Sequence, residues 1–277
     1  MITFINGLGL DVIDVPAVRD STRAAFKEPD DIEYSIRYED PGFEMILPSR
    51  VELTARQKAF LRKWSYENMG DDTSYGLKDL VRELRTAGAA TRTDQMHIVV
   101  ALEGKRHQDI HVDAIYPVDV QRVPPYDGTW VNIPPQDGGR ILQMMFDFNE
   151  HTPSARTTKG GVDGTPLKPG QQYFRGNKIT IRDGKEDTLS ISMTGPREAV
   201  TFKIRIDYRI GGESRHIVIT DRGRPFAITS LNCTDRGRTG GNGRKVFGHV
   251  SYDHIWSLRS GDIVSVKNPR RWNTWNC

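Results

Sequence analysis

The sequence predicts a mostly β protein: an antiparallel β-sandwich of the immunoglobulin-like or jelly-roll type with a small N-terminal helical pair. The first observation is the stretch Thr201–Pro225, in which apolar and polar residues alternate on both sides of Gly211-Gly212. Such alternation around a glycine turn is typical of a β-hairpin with one buried face. The second observation is that short period-two segments, separated by proline and glycine turns, fill the chain from residue 95 onward. This spacing favours a sandwich over a parallel α/β sheet, whose strands alternate with helices.

The strands are predicted from the same alternation. In the hairpin, the residues predicted to face the core are Phe202, Ile204, Ile206 and Tyr208. The other strand candidates are Glu33–Tyr38, Glu44–Leu47, Gln95–Leu102, Ile110–Val118, Thr129–Ile133, Arg140–Phe148, Gln172–Phe174, Lys178–Ile181, Thr188–Met193, Pro225–Leu231 and Lys245–Val250.

Two helices are predicted before the strand-rich part. Thr54 and Gln57 have the spacing of a capping box, and the helix that they begin should end at Gly70-Asp71-Asp72. A second helix, capped by Ser74, should end at Gly88 because glycine adopts the left-handed conformation that closes many helices.

The chain is therefore divided into four segments. They are an acidic leader with short strands (1–53), the helical pair (54–94), the β-sandwich domain (95–250) and a basic, Trp-rich C-terminal tail (251–277). Residues 1–53 contain eleven Asp and Glu against five Lys and Arg, whereas residues 222–277 contain ten Lys and Arg against three acidic residues. One interpretation is that the two ends attract each other or attract two different neighbours. The other is that the basic end binds a polyanion.

The composition narrows the possible cellular compartments of the protein but does not identify one. No run of about 18 apolar residues is present, so we expect no transmembrane segment. The first residues lack the basic region of a secretory signal, so the cytoplasm is the default expectation for the location. If the chain is a fragment of an anchored protein, we expect an extracytoplasmic location instead. Cys233 and Cys277 could pair in an oxidising compartment, but two cysteines cannot form a four-cysteine zinc site.

The sequence contains few residue patterns that indicate catalysis. The sequence has no G-x-S-x-G elbow, P-loop, dinucleotide-binding glycine motif or kinase motif set. Asp147, Glu150 and His151 follow a predicted strand and could serve a hydrolase as acid and base. Polar residues are equally expected where a strand leaves the core, so the enzyme hypothesis is the weaker interpretation.

No cofactor and no tightly held metal are expected. In an extended strand, His107, Asp109, His111 and Asp113 would share one face. His107 and His111 would then lie about 13 Å apart at ~3.3 Å per residue, too far to ligate one ion. A solvated strand face accounts for the pattern equally well.

The basic end provides the predicted binding residues. Cations and aromatic rings are interleaved in Arg270, Arg271, Trp272 and Trp275. A glycine-rich loop adds Arg236, Arg238 and Arg244. These side chains could stack on bases or sugars or join a protein interface, or the rings could fold back onto the core.

Several fragments resemble a group of actinobacterial proteins with a β-rich domain that is often displayed outside the membrane behind a single anchor. The fragments are Trp64–Asn68, Ile98–Lys105, Met145–Arg156 and Asp221–Phe226. The resemblance implies a bacterial β domain of undefined activity and contributes no catalytic residue.

The sequence favours a non-enzymatic binding module whose partner is a protein. The first alternative is a binder of nucleic acid or anionic glycan through the basic aromatic tail. The second is a hydrolase-like enzyme that uses Asp147, Glu150 and a histidine. The oligomeric state is left open.

Overall fold

The chain separates into two units, Met1–Asp31 and Ile32–Cys277, and the elements below belong to the second. A computed structural model describes residues 30–38, 43–65, 75–93, 96–133, 143–160, 167–195, 198–235, 238–239, 245–246 and 248–274. Its α-helices are α1 (Ala55–Lys63) and α2 (Leu77–Thr86).

Most of the described residues lie in two large sheets. The six-stranded sheet contains, in spatial order, β1 (Ile32–Tyr38), β4 (His97–Gly104), β11 (Glu186–Thr194), β7 (Met144–Asp147), β8 (Arg156–Lys159) and β9 (Lys168–Gln172). The ten-stranded sheet runs β10 (Ile179–Ile181), β5 (Ile110–Val123), β12 (Ala199–Ile210), β14 (Phe226–Thr229), β3 (Ala90–Arg92), β2 (Phe43–Ile46), β6 (Thr129–Ile133), β19 (His254–Arg259) and β20 (Asp262–Ser265), with β13 (Glu213–Ile219) paired to β12. Two small sheets contain β15 (Cys233–Asp235), β18 (Gly248–Val250) and β21 (Trp272–Thr274), and β16 (Arg238–Thr239) with β17 (Lys245–Val246).

The mostly β fold with a small helical pair is confirmed. One continuous core contains Val100 and Phe146 of the six-stranded sheet together with Ile206 and Phe226 of the ten-stranded sheet. Most strand pairs are antiparallel, but β7 pairs parallel with β11, β3 with β14, and β6 with β19. The immunoglobulin-like or jelly-roll subtype stays a prediction.

The β12–β13 hairpin has the predicted inward and outward faces. The predicted core residues are almost fully buried, with exposed fractions of 0–3%: Phe202, Ile204, Ile206 and Tyr208. Gly211 and Gly212 form the turn with φ of +57° and +87°, a backbone conformation that glycine adopts without a Cβ clash.

The two helices pack on one end of the ten-stranded sheet. Leu61 of α1 and Leu84 of α2 share a core with Met45, Val131 and Trp256 of that sheet. This packing explains why short helices persist: burial of an apolar face stabilises helices too short to be stable alone.

Capping defines where the helices begin and end. The Thr54–Gln57 capping box is present, with both reciprocal hydrogen bonds formed. Helix α1 ends at Lys63, earlier than predicted, because Trp64 is extended and buries its ring in the core. Gly76 is the N-cap of α2, and the predicted cap Ser74 lies outside the described residues.

One further expectation, a candidate strand, needs correction. The candidate strand Gln172–Phe174 is the end of β9 followed by a 3-10 helix over Tyr173–Arg175. Part of the predicted C-terminal tail (251–277) forms sheet strands, because β19 and β20 lie in the ten-stranded sheet. The boundaries of the four-segment division stay a prediction.

A buried ion pair lies inside the ten-stranded sheet. Arg92 Nε of β3 is 2.8 Å from Glu44 Oε2 of β2, and the two side chains are 16% and 6% exposed. Burial raises the pKa of Glu44, and the Arg92 charge opposes that shift. The guanidinium therefore compensates a carboxylate that would be costly to bury alone.

Cys233 is disulfide-bonded. The other cysteine of the sequence, Cys277, lies outside the described residues. The two described helices, of nine and ten residues, fall short of the length that a membrane span requires.

Candidate anion-binding site

A cavity of about 430 Å³ lies between β1, α2 and the turn Thr220–Arg224 that joins β13 to β14. Edge strands of both large sheets border this region. Strand β1 is the terminal strand of the six-stranded sheet, and β13 is attached to β12 outside the main strand order of the ten-stranded sheet. The cavity lies where these two edges approach α2.

Helix α2 lines the cavity with one face. Lys78, Val81, Arg82 and Arg85 follow the spacing i, i+3, i+4, i+7, which places their side chains in one stripe of a helix. Leu80 and Leu84, on a neighbouring stripe, are fully buried in the core beneath α2. The apolar residues thus orient the helix so that its cations face the cavity.

The turn is ordered by its own hydrogen bonds. The Asp221 amide donates to the Arg224 carbonyl at 2.8 Å, and the Arg224 amide donates to the Asp221 carbonyl at 3.1 Å. Thr220 Oγ1 accepts from the Gly223 amide at 3.0 Å. Gly223 and Arg222 both have positive φ, +82° and +53°. This backbone holds Arg222 and Arg224 at the rim of the cavity.

Tyr38 connects all three segments. Its hydroxyl group, at the end of β1, donates to Asp221 Oδ2 of the turn at 2.8 Å. The guanidinium carbon of Arg85 in α2 lies 3.3 Å from the centre of the Tyr38 ring, which is a cation–π contact. The ring and hydroxyl of one residue thereby fix the positions of a helix and a turn distant in sequence.

The lining is strongly cationic. Among the lining residues, five carry a positive charge, Lys78, Arg82, Arg85, Arg222 and Arg224, and one carries a carboxylate, Asp221. Within the part of the chain that the structure describes, no carboxylate forms a salt bridge with Lys78, Arg222 or Arg224.

Arg82 is neutralised locally by Asp79. Arg82 Nη2 lies 2.5 Å from Asp79 Oδ1. The Gly76 amide and Arg82 lower the pKa of Asp79, so this carboxylate stays ionised near neutral pH. Lys78, Arg222 and Arg224 provide a surplus of positive charge, and this surplus can bind an anionic group.

The predicted catalytic residues have structural neighbours. Asp147 Oδ1 accepts hydrogen bonds from the backbone amide and side-chain nitrogen of Asn149 at 3.0 and 2.8 Å. Glu150 forms a salt bridge with Arg156. His151 is exposed. Such partners are typical of a turn that closes a strand, and the catalytic role of the three residues stays a prediction.

The described binding residues predicted at the basic end lie in a 3-10 helix and in strands of the two small sheets. Trp272 is half-buried against the core residues near Tyr252, and the Arg259 guanidinium lies 4.2 Å from its ring centre. Arg270 is exposed, with Nη2 3.7 Å from Asp253 Oδ1. Arg271 ends a 3-10 helix and Arg238 lies in β16. Arg236, Arg244 and Trp275 lie outside the described residues.

Three side chains of the histidine-rich segment contact protein side chains. His107 Nδ1 lies 2.6 Å from Asp183 Oδ2, and His111 Nδ1 lies 3.2 Å from Thr180 Oγ1. Arg209 binds Asp113 through two nitrogens at 2.8–3.1 Å. In the described ranges, no three His, Cys, Asp or Glu side chains lie close enough to hold one metal ion.

The sequence pattern did not predict the cavity. The sequence features that belong to the cavity are the spacing of the cations in α2 and the two arginines on either side of Gly223. These features are about 140 residues apart, and no local pattern indicates that they meet. Only the tertiary fold, in which Tyr38 of β1 contacts both Arg85 of α2 and Asp221 of the turn, brings them together.

Comparisons with protein-family models and with curated proteins found no relative of this chain. No protein-family model matches the chain, and no curated protein matches it.

Proposed function

We propose that this protein is a non-enzymatic binding module whose partner is a protein presenting acidic side chains to the cavity between β1, α2 and the turn. The observation that carries the proposal is the convergence of Lys78, Arg222 and Arg224, from a helix and a remote turn, on one concave site. Charge-assisted hydrogen bonds from guanidinium groups to carboxylates are among the strongest polar contacts that a surface offers.

The composition of the lining favours a polypeptide over a bare inorganic anion. Ile36 and Val81 contribute apolar surface beside the cations. A peptide can match both kinds of surface, because it carries carboxylates and apolar side chains on the same segment. One face of the Tyr38 ring is covered by Arg85, so a nucleic-acid base cannot stack on that face.

The proposal is tested with a fluorescent peptide that alternates Glu with Thr, titrated at low and at physiological salt. We expect the double variant K78Q/R222Q to bind roughly tenfold more weakly, because two charge-assisted contacts are lost. Both side chains are exposed, so the variant should fold normally.

A matched control replaces two exposed cations of the basic end, K267Q/R270Q. This variant has the same net charge as K78Q/R222Q, so it separates cavity binding from a general charge effect. Equal losses in both variants, or no binding of the acidic peptide at low salt, would contradict the proposed site.

The polyanion alternative through Arg270 and Arg271 stays a prediction, and heparin retention distinguishes it. If the basic end binds polyanions, K267Q/R270Q should elute earlier than K78Q/R222Q, and binding should fall steeply with salt. The hydrolase alternative through Asp147 and Glu150 has no further supporting contact in the described residues.

The disulfide at Cys233 supports the extracytoplasmic alternative for the compartment. Disulfides persist in oxidising compartments and are rare in the cytosol. Protein purified from its native host without reductant should react with iodoacetamide only after reduction. Full alkylation of Cys233 before reduction would favour the cytoplasm instead.

A further inference from the structure

The cavity runs along the outer edge of β1. Strand β1 pairs with β4 on its inner side from Ile32 to Tyr38 and ends the order of the six-stranded sheet. On its outer side, residues 33–36 meet no other strand in the part of the chain that the structure describes. In a strand, the amide and carbonyl groups of alternate residues point to such an outer edge.

The lining residues show that this edge is part of the cavity wall. Three consecutive residues of β1, Tyr34, Ser35 and Ile36, all line the cavity. Successive side chains of a strand point to opposite faces of the sheet. A cavity that contacts both faces of a terminal strand therefore includes the strand's edge, where the backbone groups lie.

Cations from two segments line the cavity beside this edge. Lys78 and Arg82 project from α2, and Arg222 and Arg224 project from the turn. A strand laid against β1 would direct its side chains alternately to opposite faces. Acidic side chains on that strand would thus come within reach of the cations, while its backbone pairs with β1.

We propose that an extended acidic segment of the partner protein adds to residues 33–36 of β1 as a further strand of the six-stranded sheet. In this mode of recognition, main-chain hydrogen bonds provide affinity and the flanking side chains provide specificity. The inference rests on the proposed function and specifies the conformation in which the partner binds.

The test uses the same alternating Glu and Thr peptide in three forms: unmodified, N-methylated at every Thr, and N-methylated at every Glu. Only one of the two alternating sets of amides can donate to β1. We expect one methylated peptide to bind about tenfold more weakly or worse, and the other to bind like the parent, since each lost main-chain hydrogen bond weakens binding.

Hydrogen–deuterium exchange supplies an independent readout. The unmodified peptide should slow exchange in the segment 32–38, with no matching change in the β12–β13 hairpin. Both methylated peptides binding like the parent, with unchanged exchange in β1, would overturn strand addition while leaving anion binding intact. No binding by any of the three peptides would overturn the proposed function as well.

Discussion

The cavity and the C-terminal segment 254–274 are built from the same residue types with different results. Both contain arginines beside aromatic rings. In the cavity, cations from α2 and from the turn converge on one space. In the C-terminal segment, Arg259 lies over Trp272 and Arg270 faces Asp253, so these two arginines have local partners.

The difference teaches that a cationic site can form from residues that no run of cations in the sequence indicates. Arg222 and Arg224, at the start of the basic end, line the cavity, whereas its later cations are distributed over strands and a 3-10 helix. The cavity collects cations from positions far apart in sequence. Binding depends on convergence in space, whereas a cation that faces a carboxylate or a ring contributes mainly to the fold.

Arg92 is the extreme case of a cation that serves the fold, and its removal should have the largest effect. We expect Arg92→Ala to lower the free energy of unfolding by about 3–5 kcal/mol, because Glu44 would remain buried without its partner. Urea unfolding measures the change. Arg270→Ala, which breaks an exposed pair, should change stability by less than about 1 kcal/mol. Similar values for the two variants would remove the distinction between buried and exposed pairs.

The hairpin that positions the cavity turn is tested by Ile206→Ala. Ile206 is 1% exposed and lies opposite Ile217 of β13. Truncating a fully buried isoleucine leaves a cavity and should cost roughly 2–5 kcal/mol. The exposed Val218→Ala on β13 is the matched control and should cost much less. A small effect of Ile206→Ala would contradict the central role of the hairpin.

Trp272→Ala tests whether the C-terminal ring belongs to the fold. The ring is half-buried, so its loss should cost about 1–2 kcal/mol of stability. Affinity for the acidic peptide should stay unchanged. Thermal unfolding and peptide titration of the same preparation measure both. Intact stability with weakened peptide binding would instead make Trp272 a binding residue.

The smallest expected effect concerns the pH response of the helical pair. Glu83 Oε2 accepts hydrogen bonds from the Tyr75 hydroxyl at 2.7 Å and from Gln57 Nε2 at 3.0 Å, which links α2 to α1. The Tyr75 hydroxyl is the main cause of a lowered pKa of Glu83. Because the folded pKa is lowered, this stabilisation is present above the usual pKa of 4.5 and is lost as the pH falls through the folded pKa.

Glu83→Gln should therefore flatten the acid side of the stability curve. The variant cannot titrate at this position, while it keeps the size of the side chain. Urea unfolding at neutral pH and at several pH values below 4.5 measures the difference. An unchanged acid slope in Glu83→Gln would show that other carboxylates carry the pH dependence.

Several features of the fold followed from local pattern. Strand β6 was predicted with the observed ends, Thr129 and Ile133, and the Thr54 capping box was recognised from two residues. Local rules succeed here because alternation and capping depend on neighbours in sequence. Strand β19 was missed because Ile255, Trp256 and Ser257 are buried in succession, which removes the period-two pattern.

The candidate site belongs to the features that local pattern could not supply. Tyr38, Arg85 and Asp221 meet through a cation–π contact and a hydrogen bond between residues up to 183 positions apart. The sequence shows each residue but not the sheet order that brings β1 and the turn to the same place.

The sequence by itself determined that this chain builds amphipathic strands, where its main hairpin turns and which residues of that hairpin are buried. These outcomes depend on side-chain alternation and on backbone freedom at Gly211 and Gly212, which act over a few residues. The tertiary structure alone decided which cations converge and which are neutralised. Charge interactions depend on distances and burial, and those quantities exist only once strands remote in sequence have paired.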